Sequence, residues 1–341
     1  MSELTLRAPE AAQVAPARPS LRGLIRLQAR QHRRTMWIAG ATVAVAVLLA
    51  CAVRWWWEAS GAAAPDALWG EAQLAELAKR GGTVLVALPF LIGAVVAGPM
   101  IARELESGTY KVAWTQSVSP ARWLVSKLVL PVGAVVVTTP LLVGAFRLVR
   151  GPFATRPYLG LAWYDSGVYE ALGPVFLGYS LLGVTLGALI GLLVRRTLLA
   201  MAGTVVTMGA LLLVMQQWRD DLSPMRTAVG EGVTSFTPGD HWRMEWSHGG
   251  GWQTAAGVRI DTEPCNEVAG RALDAAPHAD ADVYEPVFSR CVAERGGVTE
   301  FSDYHAAADF WPLQGVETVI LLVLAAGAGW LAFRALRRLH G

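Results

Sequence analysis

Charged residues are scarce in this sequence. Only 16% of its 341 residues are Asp, Glu, Lys or Arg, while 53% are hydrophobic. Soluble globular chains carry about 25% charged residues, so the composition excludes an ordinary soluble domain. The net charge of +2 does not indicate a nucleic-acid partner, and we expect none. Of the 29 basic residues, 26 are Arg, a bias that suggests a high-GC bacterial source.

The apolar residues gather in long runs that lack charged side chains. A helix needs about 20 residues to cross the hydrocarbon core of a bilayer. Six runs have this character: 36–53, 82–102, 128–146, 173–194, 197–215 and 313–333, the last of which contains Glu317. The sequence therefore predicts an all-α polytopic membrane protein with six transmembrane helices, here called spans one to six.

The basic residues of the short connections predict the orientation. Connections on the side of the two termini contain 16 Lys or Arg, and the short connections on the other side contain 6. By the positive-inside rule, both termini are cytoplasmic. Trp residues agree, since Trp55, Trp56, Trp57, Trp163, Trp218 and Trp311 all fall near the predicted outer boundary. We expect a bacterial cell membrane as the location.

The regions outside the spans differ in composition. Residues 1–20 are rich in Ala and Pro and predict a disordered cytoplasmic tail. Residues 21–35 predict a basic interfacial helix, or alternatively a positively charged stop before span one. Residues 36–215 hold spans one to five, 216–312 form an extracellular segment, and 313–341 contain span six and a basic cytoplasmic tail.

Two features predict how the spans pack. Gly183, Gly187 and Gly191 recur at every fourth residue of span four, so that one helix face is bare and another helix can approach closely. Span five is the simplest partner, and the seam of a homodimer is the alternative. Glu317 lies about one turn into span six, where it either contacts a substrate or a proton, or has a structural role near the positive end of the helix dipole.

The connection 103–127 between spans two and three predicts a broken helix. Gly108 can end the extension of span two in a left-handed conformation, and Thr109 can cap a short helix from Tyr110 to about Gln116. Ser119 followed by Pro120 is a good start for the next helix. Trp114 either faces a protein partner here or anchors at the headgroup level.

The segment ARELESGTYKVAWTQSVSPARWLVSKL resembles the signature of type-2 ABC exporter permeases, especially an actinobacterial-like branch. Pro120 departs from that pattern, because many relatives have a basic residue there. The Trp-Pro pair before span six is also similar to that branch. Each residue proposed to couple to the ATPase lies in this segment: Glu104, Glu106, Gly108, Thr109, Tyr110, Trp114, Gln116 and Ser117.

The resemblance implies a partner, a stoichiometry and a mechanism. This segment would dock on a separate ABC ATPase subunit, and two copies of the chain would face each other over two ATPases in the lipid bilayer. Closure of the ATPases would then tilt the spans between two states. The sequence contains no G-x-x-x-x-G-K-[ST] phosphate loop, so the chain itself is expected to be no enzyme and to bind no cofactor, while ATP and Mg are used by the partner.

The extracellular segment 216–312 is long enough for a small folded domain. Cys265 and Cys291 are its only cysteines, so they form a candidate disulfide or remain two unpaired thiols. The four histidines of this segment, His241, His248, His278 and His305, follow no metal-ligand spacing, and we expect no metal site.

Three functions are consistent with these features. The first is the permease subunit of an ATP-driven exporter of an amphipathic or drug-like molecule. The second is a membrane-anchored sensor or scaffold that presents the extracellular segment. The third is an intramembrane enzyme, for which no paired catalytic groups are visible at membrane depth.

Overall fold

The computed structural model of the protein describes residues 21–60, 67–111, 119–154, 159–230, 246–275 and 283–338. Six helices in these ranges are long and apolar enough to cross a membrane, which confirms the six predicted spans. They cover Arg33–Ala59, Gly70–Glu106, Pro120–Phe153, Val175–Val194, Thr197–Leu222 and Ala307–Arg338. The chain is therefore a multi-pass membrane protein by length and composition of its helices.

Span two is the longest and changes its hydrogen-bonding pattern along its length. It is α-helical over Ala67–Leu91, π-helical over Ile92–Ala97 and α-helical again over Gly98–Glu106. Pro89 lies inside the first part and has no backbone N–H to donate. The wider turn that follows is a π-bulge, a feature frequent at functional sites.

Span four is the central helix of the bundle. It contacts spans two, three, five and six, and most extensively spans two and six. Its residues Val175, Val184 and Ala188 are fully buried. Span one is the least enclosed span, because it contacts mainly span three and exposes large apolar side chains such as Leu48 and Leu49.

A separate helix precedes span one. It covers Leu21–Gln31, within the range predicted for a basic interfacial helix, and packs along span three. Its residues Arg22, Arg26 and Arg30 are exposed. Span one begins one residue later, after the turn at His32.

The segment between spans five and six corrects the all-α prediction, since it contains an antiparallel sheet. Its strands are β1 (Arg226–Gly230), β2 (Trp246–Gln253), β3 (Arg259–Ile260) and β4 (Thr299–His305), in the order β1-β4-β2-β3. An alternation pattern does not reveal the sheet, because β2 has three consecutive glycines. The strand forms by pairing with the distant strand β4, with Ser247 opposite Tyr304 and Gly250 opposite Ser302.

Two helices accompany the sheet, Glu263–Asp274 and Tyr284–Glu294. Cys265 on the first and Cys291 on the second form a disulfide. Cys265 and Ala269 are completely buried between the helices.

The bundle has two distinct ends. We call the end that carries the sheet the sheet end. The connection 159–174 between spans three and four also lies there, as the contact of Trp163 with Trp246 of β2 shows. The opposite end holds the connection between spans two and three and the turn at Arg195 and Arg196 between spans four and five.

Candidate functional site

At the opposite end, Glu104 joins span two to span three. One carboxylate oxygen forms an ion pair with Lys127, and the other accepts a hydrogen bond of 3.0 Å from the indole N–H of Trp123. Lys127 and Trp123 are both buried. The turns of the two spans at this end are therefore held together by a charged contact in which Lys127 is buried and the Glu104 side chain is 31% exposed.

Glu106, one residue beyond Leu105, joins span two to span five. Its carboxylate accepts hydrogen bonds from the backbone N–H of Thr197 at 3.0 Å and from the Thr197 hydroxyl at 2.7 Å. Thr197 is the first residue of span five, whose own N-cap residue, Arg196, offers no side-chain cap. Glu106 therefore caps span five from another helix, and its negative charge faces the positive end of the helix dipole.

An apolar cluster lies behind these two carboxylates. It brings together spans two, three, four and six through the buried residues Ile101, Leu105, Trp123, Leu124, Ala188, Leu192, Ala332 and Leu336. Tyr110 packs against the edge of this cluster. The end of span two that carries both carboxylates is therefore packed against spans three, four and six.

The predicted turn after span two has the expected backbone. Gly108 has a φ of 73°, the left-handed conformation that favours glycine and that we predicted for this cap. The Thr109 hydroxyl donates a hydrogen bond of 3.5 Å to the Glu104 carbonyl oxygen of span two. Its cap on the next helix stays a prediction, since residues 112–118 lie outside the described ranges. Tyr110 and Lys111 are helical. Trp114, Gln116 and Ser117 lie outside the described residues.

Span three begins as predicted. Ser119 is its N-cap residue, and its hydroxyl accepts a hydrogen bond of 3.4 Å from the backbone N–H of Arg122. Pro120 occupies the first turn, where its missing N–H costs no helical hydrogen bond.

At the sheet end, Arg219 lies between two carboxylates. Its guanidinium is 2.8 Å from a carboxylate oxygen of Glu170 and 3.1 Å from one of Glu317. All three side chains are buried, with exposed fractions of 4% or less. Glu317 therefore has a partner 98 residues away, and the cluster joins the ends of spans five and six to the short helix Val168–Ala171.

Polar neighbours form further hydrogen bonds to the carboxylates of this cluster. Tyr179 donates a hydrogen bond of 3.0 Å to Glu317, and Gln216 donates one of 3.2 Å to Glu170. The Arg219 guanidinium also lies 3.8 Å from the centre of the Tyr169 ring. A buried charge cluster of this kind is tolerated because each charge has several partners.

The glycine face of span four contacts span two. A Cβ atom at Gly187 would collide with the carbonyl oxygen of Gly93, and one at Gly191 would lie 2.7 Å from that of Gly98. At Gly183 the obstacle is the carbonyl oxygen of Pro89. The expected partner, span five, is therefore wrong for this face. The contact runs from Pro89 through the π-helical part of span two to Gly98.

The sheet is attached to spans five and six by polar contacts. Arg226 of β1 forms an ion pair of 2.8 Å with Asp309. The Nε2–H of His305, on β4, donates a hydrogen bond of 3.1 Å to the carbonyl oxygen of Asp220. Burial, followed by the neighbouring His248, lowers the pKa of His305. The lowered pKa favours the neutral form of His305.

The histidines of this segment do not form a metal site among the described residues. The rings of His248 and His305 pack edge to face with centroids 5.1 Å apart, and His241 and His278 lie outside the described ranges. No group of three or more His, Cys, Asp or Glu that could hold a metal ion occurs in the part of the chain that the structure describes.

Two residues of the buried charge cluster escaped the sequence analysis. Arg219 was assigned to the extracellular segment and Glu170 to a connection, because both lie just outside the apolar runs. The one available signal was Glu317 itself, since a carboxylate at membrane depth requires a partner. The position of Glu317 in the sequence, however, does not reveal which of several Arg residues is its partner.

Comparison with known families gives one match. The family described as ABC-2 membrane transporter related matches residues 59–219. The matched region extends from the end of span one to Arg219 and contains Glu104, Glu106 and Glu170. With the six spans, the match supports a transport permease of the ABC-2 type rather than a catalytic enzyme. Neither curated proteins nor solved structures gave a match.

Proposed function

We propose that this chain is the membrane subunit of an ATP-driven exporter and that its ATPase is a separate polypeptide. The match of residues 59–219 to ABC-2 membrane transporters carries this proposal. The exported molecule would be amphipathic or drug-like. The subunit would reside in a bacterial cell membrane with both termini in the cytoplasm, and the sheet outside.

The opposite end of the bundle is the proposed docking surface for the ATPase. Glu104 and Glu106 tie the segment after span two to spans three and five, and the apolar cluster behind them reaches spans four and six. A force applied to residues 107–118 would therefore move several spans together. ATP and Mg would be bound by the partner, and a second copy of this chain would complete the translocation path.

The arrangement at the sheet end fits an outer closure of this path. The Glu170–Arg219–Glu317 cluster fixes spans five and six to the connection between spans three and four. In the proposed cycle, movement of the spans at one end would be resisted by this cluster at the other end.

The test uses Lys111, which is exposed beside the predicted coupling residues. The full chain is co-expressed with a separate phosphate-loop ABC ATPase from the same source and purified in mild detergent. We expect a complex of two permeases and two ATPases, and expect Lys111→Glu to weaken it without changing the melting temperature of the permease. Arg290→Glu, at an exposed position near the sheet, is the control with the same charge change.

Two results would contradict the proposal. If no ATPase co-purifies with the unchanged chain, the scaffold function becomes the better explanation. If Lys111→Glu and Arg290→Glu weaken the complex equally, the docking surface is not at the opposite end.

A further inference from the structure

The last turns of span six form a cleft at the opposite end of the bundle. The cleft has a volume of about 360 Å³. Two aromatic and three basic side chains line it: Trp330, Phe333, Arg334, Arg337 and Arg338. It is separate from the contacts of Glu104 and Glu106, which involve spans two, three and five.

The charge of the cleft is uncompensated within the described residues. Arg334 lies 5.6 Å from the centre of the Trp330 ring, and no acidic side chain of the described ranges pairs with Arg334, Arg337 or Arg338. Guanidinium groups bind phosphate oxygens through paired N–H donors, so three of them around one cleft favour a phosphate-bearing ligand.

An apolar stripe leads into the cleft. Val319, Val323 and Trp330 follow one face of span six and are exposed by 60%, 65% and 59%. The opposite face, with Leu321 and Leu336, is buried against the bundle. Exposed apolar side chains along a span are in contact with lipid acyl chains. Trp prefers the depth where these chains meet the headgroups.

We propose that this cleft binds an anionic phospholipid, with its phosphate among Arg334, Arg337 and Arg338 and its acyl chains along Val323 and Trp330. A free phosphate would leave the apolar stripe unused. A second copy of the chain packed symmetrically on this face would place these arginines opposite one another, which like charges disfavour.

The experiment is native mass spectrometry of the full-length chain in a neutral detergent. Dioleoylphosphatidylglycerol or dioleoylphosphatidylcholine is added, and the bound lipids per chain are counted. We expect Arg334→Gln/Arg337→Gln to weaken phosphatidylglycerol binding about tenfold, from the loss of two cations near the headgroup. Binding of phosphatidylcholine should be weak in both proteins.

Arg195→Gln/Arg196→Gln is the matched control, because it removes two exposed cations from the same end of the bundle without touching the cleft. It should change phosphatidylglycerol binding less than about threefold. Glycerol 3-phosphate, which carries the phosphate but no acyl chain, should not compete at concentrations similar to those of the lipid.

Three outcomes would overturn the proposal. The first is an equal loss in both double variants, which would indicate general surface charge. The second is full competition by glycerol 3-phosphate, which would indicate a site for free phosphate. The third is an unchanged lipid count with a shifted oligomeric state. If the double variant does not fold, Arg338→Gln alone should weaken binding about threefold, and no change would equally overturn the proposal.

Discussion

Arg219 carries the electrostatic balance of the sheet end. It is the only cation in contact with Glu170 and Glu317 among the contacts of the described residues, so its loss would leave two carboxylates buried side by side. Loss of Glu317 would be less severe, because Arg219 would keep Glu170 as its partner. Removal of Arg219 thus leaves two unpaired carboxylates, whereas removal of Glu317 leaves Arg219 paired with Glu170.

We therefore predict that Arg219→Gln lowers the stability of the protein far more than Glu317→Gln. Removing one partner of a buried pair costs about 3–5 kcal/mol when it leaves an uncompensated charge. The measurement is thermal unfolding of the purified chain in detergent. The fraction of protein that remains monodisperse is recorded at each temperature.

Arg226→Gln is the control for this prediction, since its ion pair with Asp309 involves a guanidinium that is 52% exposed. Exposed pairs contribute about 0–1 kcal/mol, so the melting temperature should hardly move. Equal effects of Arg219→Gln and Arg226→Gln would show that the buried cluster contributes no more than a surface pair.

Among the helices, the contact between spans two and four depends on the absence of side chains. Gly187 lies against the backbone of Gly93 in the π-helical part of span two, which leaves no room for a methyl group. Backbone atoms cannot yield as the end of a flexible side chain can. The two helices would have to separate to accept any larger residue.

Gly187→Ala should therefore destabilise the protein by about 1–3 kcal/mol, the usual cost of overpacking a tight contact. Gly133→Ala in span three is the matched control, because nothing lies within 4 Å of a Cβ atom at that position. Thermal unfolding of both variants gives the comparison. A Gly187→Ala protein as stable as the Gly133→Ala protein would contradict the close contact.

The sequence predicted the helices and their ends well, but it predicted poorly which residues contact each other between helices. The six spans follow from apolar runs, and the turn at Gly108 and the cap at Ser119 follow from local residue chemistry, so each depends on neighbours in sequence. The contact of Gly187 with Gly93 and the pairing of Glu317 with Arg219 depend on residues about 94 and 98 positions apart. No spacing rule contains that information, and several small residues or arginines suit each role equally.

At the scale of the whole molecule, the orientation of the chain in the membrane remains a prediction that labelling can test. Val258, next to β3, is 62% exposed at the sheet end, and Arg196 is exposed at the opposite end. In a Cys51→Ser background, the disulfide between Cys265 and Cys291 leaves no native thiol to react.

A membrane-impermeant maleimide should label Val258→Cys in intact cells and Arg196→Cys only after lysis. If Arg196→Cys were labelled in intact cells and Val258→Cys only after lysis, the termini would lie outside, which would contradict the positive-inside argument. Labelling of the lysed cells in both variants controls for the reactivity of each thiol.

The strand order of the sheet constrains how this protein can move. β1 follows span five after three residues, β4 precedes span six, and the two strands are hydrogen-bonded neighbours from Arg226 to Gly230. The ends of spans five and six at the sheet end are thus held next to each other by this pairing. In the permease proposed above, a path opening between these two spans at the sheet end would require the hydrogen bonds between β1 and β4 to break, so we expect the opening elsewhere around the bundle.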